Sequence, residues 1–484
     1  MEQSGIAGMK AVWGYFGEIC KIPRPSKSEQ QIIDYLLAFA GKHRLEATRD
    51  KVGNVLVRKP ASAGRENGKP VILQCHFDMV GEKEPGSSHD FTRDPIIPVK
   101  EGEWLRASGT TLGADDGIGI AAQMVILESR ELVHGPLECL FTVDEESGMT
   151  GARQLRPDFL KGKILINLDS EDEGELFIGC AGGIDTIGTF RFEMEPPDGS
   201  MEGYRISVEG MRGGHSGDEI HKSPGNPIKV LNNFLLAAGN THGLRLSSFD
   251  GGNMLNAIPR DAYATVCMAG GQRKEIEEYF TGCSEKVSAE LREFEPDMQL
   301  KLEQADLPRS VLPPDQQLKF LQAIDSCPHG VISWSPKLEG MVETSTNLAS
   351  VKFVEQNRAI VTTSQRSSLE SAKKEIANRV AVCLESGGAF IEHSEGYPGW
   401  TPNTDSEILN ITKIAYRDLF GKDPVVRAIH AGLECGLILQ RYPGLDMLSF
   451  GPTIKGAHTP AERIHTGSTE KFWKLLLEVL RRIP

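Results

Sequence analysis

An α/β protein with a mostly parallel sheet flanked by helices, interrupted by a long α+β insertion, is what three features of this sequence predict. From Gly53 to about Gly183, short apolar runs rich in β-branched residues alternate with helical stretches, as strands of a covered parallel sheet and their crossover helices do. From about Asp185 to Ser394 the texture shifts to antiparallel-looking strands and amphipathic helices. After the Pro/Gly-rich "GYPGWTPN" the first texture returns. A chain of 484 residues is also too long for one compact core. The expected division is residues 1–184 and 395–484 as one discontinuous domain, with residues 185–394 inserted into it.

In chain order, "GNVLVRK", "PVILQCHFD", "GPLECLFTVDEE" and "GKILINLDSED" read as strands, and "DDGIGIAAQMVILESREL" as a helix between two of them. In the insertion, "TFRFEMEPPDGSMEGYRISVEGM" reads as antiparallel strands around a Pro/Gly/Asp turn, and "SPGNPIKVLNNFLLAAG" as an amphipathic helix. In the last segment "SEILNITKIAYRDLFG" is helical and "LDMLSFGP" is a strand entering a loop. "STEKFWKLLLEVLRRI" is a closing helix with Ser468 as its expected cap.

Composition excludes several classes. The 39% apolar and 25% charged residues are those of a globular protein. The net charge of −14, from 67 acidic and 53 basic side chains, repels nucleic acid and anionic membranes. No apolar run approaches the ~20 residues of a membrane helix. The start has no basic region followed by an apolar one, so no secretory signal is read. Nine scattered cysteines without a CxxC pair point to a reducing, cytoplasmic setting. Cys75, turned by strand alternation away from His76, reads as a core thiol.

The chemistry gathers at strand ends. His76 and Asp78 lie two positions apart and project from one face of their strand. They are either an imidazole–carboxylate pair or a metal ligand with its helper. Asp115 and Asp116 sit in a Gly-flanked turn entering a helix, where an Asp commonly caps. Asp144, Glu145 and Glu146 end an apolar strand; they repel one another unless a cation shares the site, or they form a solvated acidic turn. Asp169 ends a further strand, and "FGPTIKGAHTPAERI" delivers His458 in a Gly/Pro loop. In an open α/β sheet, function collects at the carboxyl ends of the strands. Two imidazoles and several carboxylates suit zinc, with manganese or cobalt as alternatives.

The set HFD, ADDG, DEESG, LDSED and AHTPAE, with "GGHSG", "GGNMLNAIP", "SQRSS" and "EGYPGW" in the insertion, resembles the aminoacyl-histidine dipeptidase family of the co-catalytic zinc clan. The resemblance covers nearly the whole chain. It implies a zinc-peptidase-like catalytic domain, an inserted lid domain and two Zn2+ per chain (Mn2+ or Co2+ as alternatives). Asp115 would bridge the metals, His76 and Asp169 would complete one site, and Glu146 and His458 the other. Asp78 would orient His76 through its second ring nitrogen. Glu145 would serve as general base and then proton donor to the leaving amine. The resemblance also implies a cis peptide after Asp115, an oxyanion role for His215 and a substrate-carboxylate clamp at Asn256 and Arg366. Gly432 would line the pocket with its backbone, and closure between domains would assemble the whole. His89, His221, His329 and His393 are left as solvated or structural.

The expected activity is hydrolysis of dipeptides with a free amino end, of Xaa-His type including β-alanyl-histidine. Asp169 favours this over carboxypeptidase or aminoacylase members of the clan, which tend to carry Glu at the matching position. The alternative is an N-acyl-amino-acid amidohydrolase. A non-catalytic zinc- or peptide-binding protein would have no need of Glu145, His215 or Arg366. The expected partner is the dipeptide, with no nucleic acid and no membrane. Assembly stays open between a monomer using its own His215 and a homodimer in which that residue reaches across.

Overall fold

The computed structural model describes residues 2–222, 225–271, 273–355 and 357–484. The chain divides into two compact units, one of residues 1–179, 400–428 and 433–484, the other of residues 180–399 and 429–432.

The first unit is built on an eight-stranded sheet. In chain order its strands are β1 (Glu46–Arg49), β2 (Val55–Lys59), β3 (Val71–His76), β4 (Leu137–Thr142), β5 (Ile164–Asn167), β6 (Glu175–Cys180), β7 (Val425–Ile429) and β8 (Asp446–Ser449). Across the sheet the order is β1-β2-β4-β3-β5-β8-β6-β7. The four central strands β4, β3, β5 and β8 are parallel, whereas β1, β2 and β6 pair antiparallel. The parallel arrangement therefore belongs to the centre, and the edges depart from it. The physical reason at β1–β2 is the connection: Asp50 to Asn54 is too short to cross over and can only turn back. Every residue of β3, β4 and β5 is buried, as strands covered on both faces must be. The helices Gln30–Lys42, Ala114–Glu128, Glu407–Phe420 and Thr466–Arg482 supply core residues over this sheet, among them Leu36, Ile118, Leu409 and Leu476.

The closing helix begins at Thr466, two residues before the expected cap. His465 is the capping residue. Its Nδ1 accepts from the Ser468 N–H at 3.0 Å, while the Ser468 hydroxyl donates to the His465 carbonyl at 2.8 Å. A small sheet of Pro98–Glu101, Trp104–Ala107, Ile454–Lys455 and Arg463–His465 completes the unit, and His458 lies in the loop between its last two strands.

The second unit carries a nine-stranded sheet whose established pairings are all antiparallel. Its core joins Val208, Val266 and Val361 of the strands to Leu231, Phe320 and Val380 of the helices Pro227–His242, Pro314–Ser326 and Glu370–Ser386. The first of these helices starts after Asn226, which caps it. Ser223 and Pro224, the start of the segment read as helical, lie outside the described residues. No described helix is long and apolar enough to cross a membrane.

Candidate active site

Three parallel strands of the first unit end side by side, and their exits bring the sequence-predicted residues together. Register places His76 of β3 opposite Thr142 of β4, and Gln74 of β3 opposite Asn167 of β5. The segments leaving these strands carry Asp78, Glu145, Glu146 and Asp169. His76 Nε2 lies 3.1 Å from Asp115 Oδ1 and 3.4 Å from Asp169 Oδ1. His458 Nε2 lies 3.3 Å from Asp115 Oδ2 and 2.9 Å from Glu146 Oε2. The two oxygens of Asp115 thus face two different imidazoles. One donor atom each of His76, Glu145 and Glu146 also falls within 4.8 Å of the others.

Asp115 and Asp116 divide the two readings of their turn between them. Asp116 Oδ1 accepts from the Gly119 N–H at 3.0 Å, as a helix cap does. Asp115 turns to the imidazoles, and the Asp115–Asp116 peptide is cis. Asp144 likewise leaves the cluster, accepting from the hydroxyls of Ser147 and Thr150 within its own turn.

Asp78 is fully buried and does more than face His76. Its carboxylate accepts the Glu145 N–H at 2.9 Å, the Glu146 N–H at 3.1 Å and the Ser26 hydroxyl at 2.8 Å. His76 Nδ1 lies 3.5 Å from Asp78 Oδ1 and 3.2 Å from the Asp78 carbonyl. One carboxylate therefore fixes both the first imidazole and the turn that presents the two glutamates.

The electrostatics are those of crowded buried acids. Burial pushes Asp169 up to about 7, with Asp115 adding to the rise against the pull of His76. Burial also lifts Glu145 well above the usual carboxylate range, helped by Asp169, Glu434 and Glu146. Burial would lift Asp115 as well, but hydrogen bonds from His458 and His76 outweigh it and hold that carboxyl far below its ordinary value. His458 is raised to about 11, chiefly by its contacts with Asp115 and Glu146. A cation relieves this mutual repulsion. Glu146 Oε1 is buried without a hydrogen-bond partner among the described residues, so it has a free lone pair for such an ion. The donor set of imidazole nitrogens and carboxylate oxygens fits a zinc-type dication.

Several contributors were not legible in the sequence. Arg24 is buried and donates to the carbonyls of Phe77 and Asp78, both at 2.7 Å, and to that of Gly113. Gly113 has φ +69°, and a Cβ there would stand 2.6 Å from Arg24 Nη2, so this loop position requires glycine. Glu434 is wholly buried; its Oε2 accepts from Gln74 Nε2 at 2.6 Å and Thr142 Oγ1 at 2.7 Å, under the strand exits. Glu462 holds the loop before Asp115. The carboxylate in "AHTPAE" and the Arg in "IPRPS" were visible, but their partners are backbone groups of remote loops.

In the second unit, His215 ends a two-residue strand paired with Ala257–Ile258. Its Nδ1 lies 3.2 Å from both the Asp218 backbone nitrogen and the Asp218 carboxylate. Asn256 is exposed, and its carbonyl accepts the Ser216 N–H at 2.8 Å. Arg366 is buried, with Nη1 donating to the Tyr397 hydroxyl at 3.0 Å. A Cβ on Gly432 would meet the Tyr397 ring at 2.8 Å. His430, two residues earlier, passed unnoticed in "IHAGLECG". Its Nε2 stands 2.7 Å from Ser345 Oγ, and burial followed by the Arg366 charge holds it down at about 3.

Imidazoles and carboxylates converging at the carboxyl ends of parallel strands make a donor set able to hold a metal ion. The chain belongs to the family described as Peptidase family M20/M25/M40, which its residues 72–482 match. The cytosol non-specific dipeptidase of Escherichia coli (strain K12) is 42% identical over 473 residues, 98% of this chain and 97% of that protein. The crystal structure of an aminoacylhistidine dipeptidase from Vibrio alginolyticus matches with a TM-score of 0.92 at 42% identity, over 98% of this chain and 96% of that one. Aminopeptidase PepT from Bacillus cereus shares the fold at 15% identity and a TM-score of 0.58, over 98% of each chain.

Proposed function

We propose that this chain is a metal-dependent dipeptidase of the cytoplasm, cleaving dipeptides with a free amino end, Xaa-His substrates such as β-alanyl-histidine among them. The observation that carries the reading is the Asp115 carboxylate, one oxygen toward His76 and Asp169, the other toward His458 and Glu146. His76, Asp115 and Asp169 would hold one zinc ion and Asp115, Glu146 and His458 a second, and the names of the E. coli and V. alginolyticus relatives support the substrate class.

Two bound dications would supply a water acidified for attack and a Lewis acid for the scissile carbonyl. The chain's own groups do the rest. Glu145 takes the proton of the attacking water and returns it to the leaving amine. Asp78 holds Glu145 by its backbone N–H and keeps His76 oriented. Arg366 pairs the substrate carboxylate with its planar fork, beside Asn256 and the backbone of Gly432. His215 serves the oxyanion as charge develops there.

The test is turnover of β-alanyl-histidine, glycyl-histidine and N-acetyl-methionine by zinc-loaded protein, with and without chelator. Chelator-sensitive cleavage of the two dipeptides alone is expected. Cleavage of the acetylated substrate alone would transfer the chain to the N-acyl amidohydrolases.

A further inference from the structure

The loop Leu112–Asp115 is gripped from opposite sides by two buried charges. Arg24 takes the Gly113 carbonyl. Glu462, 2% exposed, takes the amides: Oε2 accepts from Leu112 at 2.7 Å and Gly113 at 2.9 Å, and Oε1 from Ala114 at 2.8 Å and Asp115 at 3.3 Å. Four successive backbone N–H groups thus end on one carboxylate that is distant in sequence. Charge-assisted bonds of this kind are about twice as strong as neutral ones, and a buried amide left without a partner is costly.

Glu462 belongs to the same tight loop as His458. His458 has a left-handed φ of +61°. The Thr459 hydroxyl donates to the Gly456 carbonyl at 2.7 Å, and the Glu462 N–H to the Thr459 carbonyl at 3.0 Å. The carboxylate therefore clips the loop carrying His458 to the loop carrying Asp115. By contrast, His76 and Asp169 are brought together by the pairing of β3 with β5, which Glu462 does not touch.

We infer that Glu462 is a positioning residue that sets His458 against Asp115 and so controls the affinity of the Glu146–His458 metal position; the other position shares Asp115, but its His76 and Asp169 are set by the sheet and Arg24 keeps its own hold on the Asp115 loop. This rests on the metal-centre reading above. The glutamate touches neither substrate nor reacting atoms, and it acts through the loop it holds.

The experiment is zinc titration of chelator-stripped full-length protein against a competing chromophoric chelator, resolving two binding steps, with Tm measured alongside. E462Q offers one oxygen to four donors and turns an amide toward the rest. It is expected to weaken one zinc step at least about tenfold, within the range typical of groups that orient metal ligands, and to leave the other within about twofold. E462D keeps the charge at shorter reach; it is expected to fall between wild type and E462Q, and it carries the same test should E462Q not fold. Glu138 is the comparison: equally buried, it accepts the Lys161 and Gly162 amides at 2.7 and 2.8 Å at the amino end of β4. E138Q should lower Tm and leave both zinc steps unchanged. Two unchanged steps in E462Q, or two steps that weaken together as Tm falls, would overturn the inference. Wild-type protein that takes up no zinc would overturn the metal-centre reading and this inference with it.

Discussion

Glu145 and Glu146 are adjacent in sequence and differ in what they face. Glu146 Oε2 meets His458 at 2.9 Å, whereas the Glu145 carboxylate is lifted by burial and by acids around it. Both are presented by backbone N–H groups that end on Asp78. The expected outcome of Glu145→Gln is loss of turnover, by about two orders of magnitude or more, with zinc content unchanged by elemental analysis. Asp78→Asn puts an amide against donors that now end on an acceptor. It should lower kcat and also reduce zinc retention on dialysis, because it loosens His76 and the glutamate turn together. Glu145→Gln with reduced zinc, or Asp78→Asn with full zinc, would reverse these assignments. At this scale the sequence was informative wherever an imidazole or carboxylate ended an apolar strand, because strand ends of a parallel sheet converge by topology. Arg24, Glu434 and Glu462 escaped because each satisfies groups in segments remote in sequence: Asp115 and Glu462 are 347 positions apart.

Elements fold here by local rules, and several boundaries depend on one distant side chain. The helix Ala114–Glu128 closes with the Ser129 N–H on the Val125 carbonyl, and its last carbonyls look outside it for a donor. Lys59 of β2 supplies that end, its ammonium donating to the Ile126 carbonyl at 2.5 Å and to that of Leu127 at 3.2 Å. The insertion repeats the device, with Lys229 donating to the carbonyls of Ile324 and Asp325, both at 2.7 Å, near the end of Pro314–Ser326. At the same amino-terminal end of the helix bearing Lys229, Asn226 Oδ1 caps the Ile228 N–H and its Nδ2 donates to the Leu348 carbonyl, both at 2.9 Å. Asn226→Ala removes a cap and strands a buried carbonyl, and is expected to cost about 1–3 kcal/mol, read as a lower denaturant midpoint. A change below a few tenths would mean the helix start is held by Pro227 alone. The strands and helices were legible because apolar periodicity and flanking Gly, Pro and Ser are local. The antiparallel edges of the first sheet were less so, since edge direction depends on connection length and on partners far away. The displaced start of Thr466–Arg482 has a simpler cause: His465 competes with Ser468 for the capping role through its ring nitrogen.

At the scale of the molecule, each unit has its own apolar core, and the second holds two imidazoles whose depressed basicity predicts an acid sensitivity. His329 is half-buried, its Nε2 enclosed without a partner among the described residues, and its Nδ1 accepts the Leu348 N–H at 3.2 Å and lies 3.3 Å from Asn226 Nδ2. A nitrogen that accepts cannot hold a proton, and burial together with Lys229 brings His329 down to about 4. In the unfolded chain a histidine titrates near 6.5. Between pH 6.5 and about 4 the unfolded state therefore binds a proton that the folded state refuses. Stability present above pH 6.5 is lost as the pH falls through that window, at up to about 1.4 kcal/mol per pH unit for one such group. His430, held to about 3, adds a second contribution of the same sign. Asp169, pushed up to about 7 in the folded state, contributes with the opposite sign over the same window, so the wild-type slope alone is mixed. The difference between wild type and His329→Asn isolates the imidazole, because every other group is common to both. The guanidinium midpoint of wild type should fall more steeply than that of His329→Asn from pH 6.5 to 4.5, with the two curves parallel above pH 7.5. Parallel curves throughout would mean that His329 takes up its proton in the folded state, and that the Leu348 amide finds another acceptor when it does.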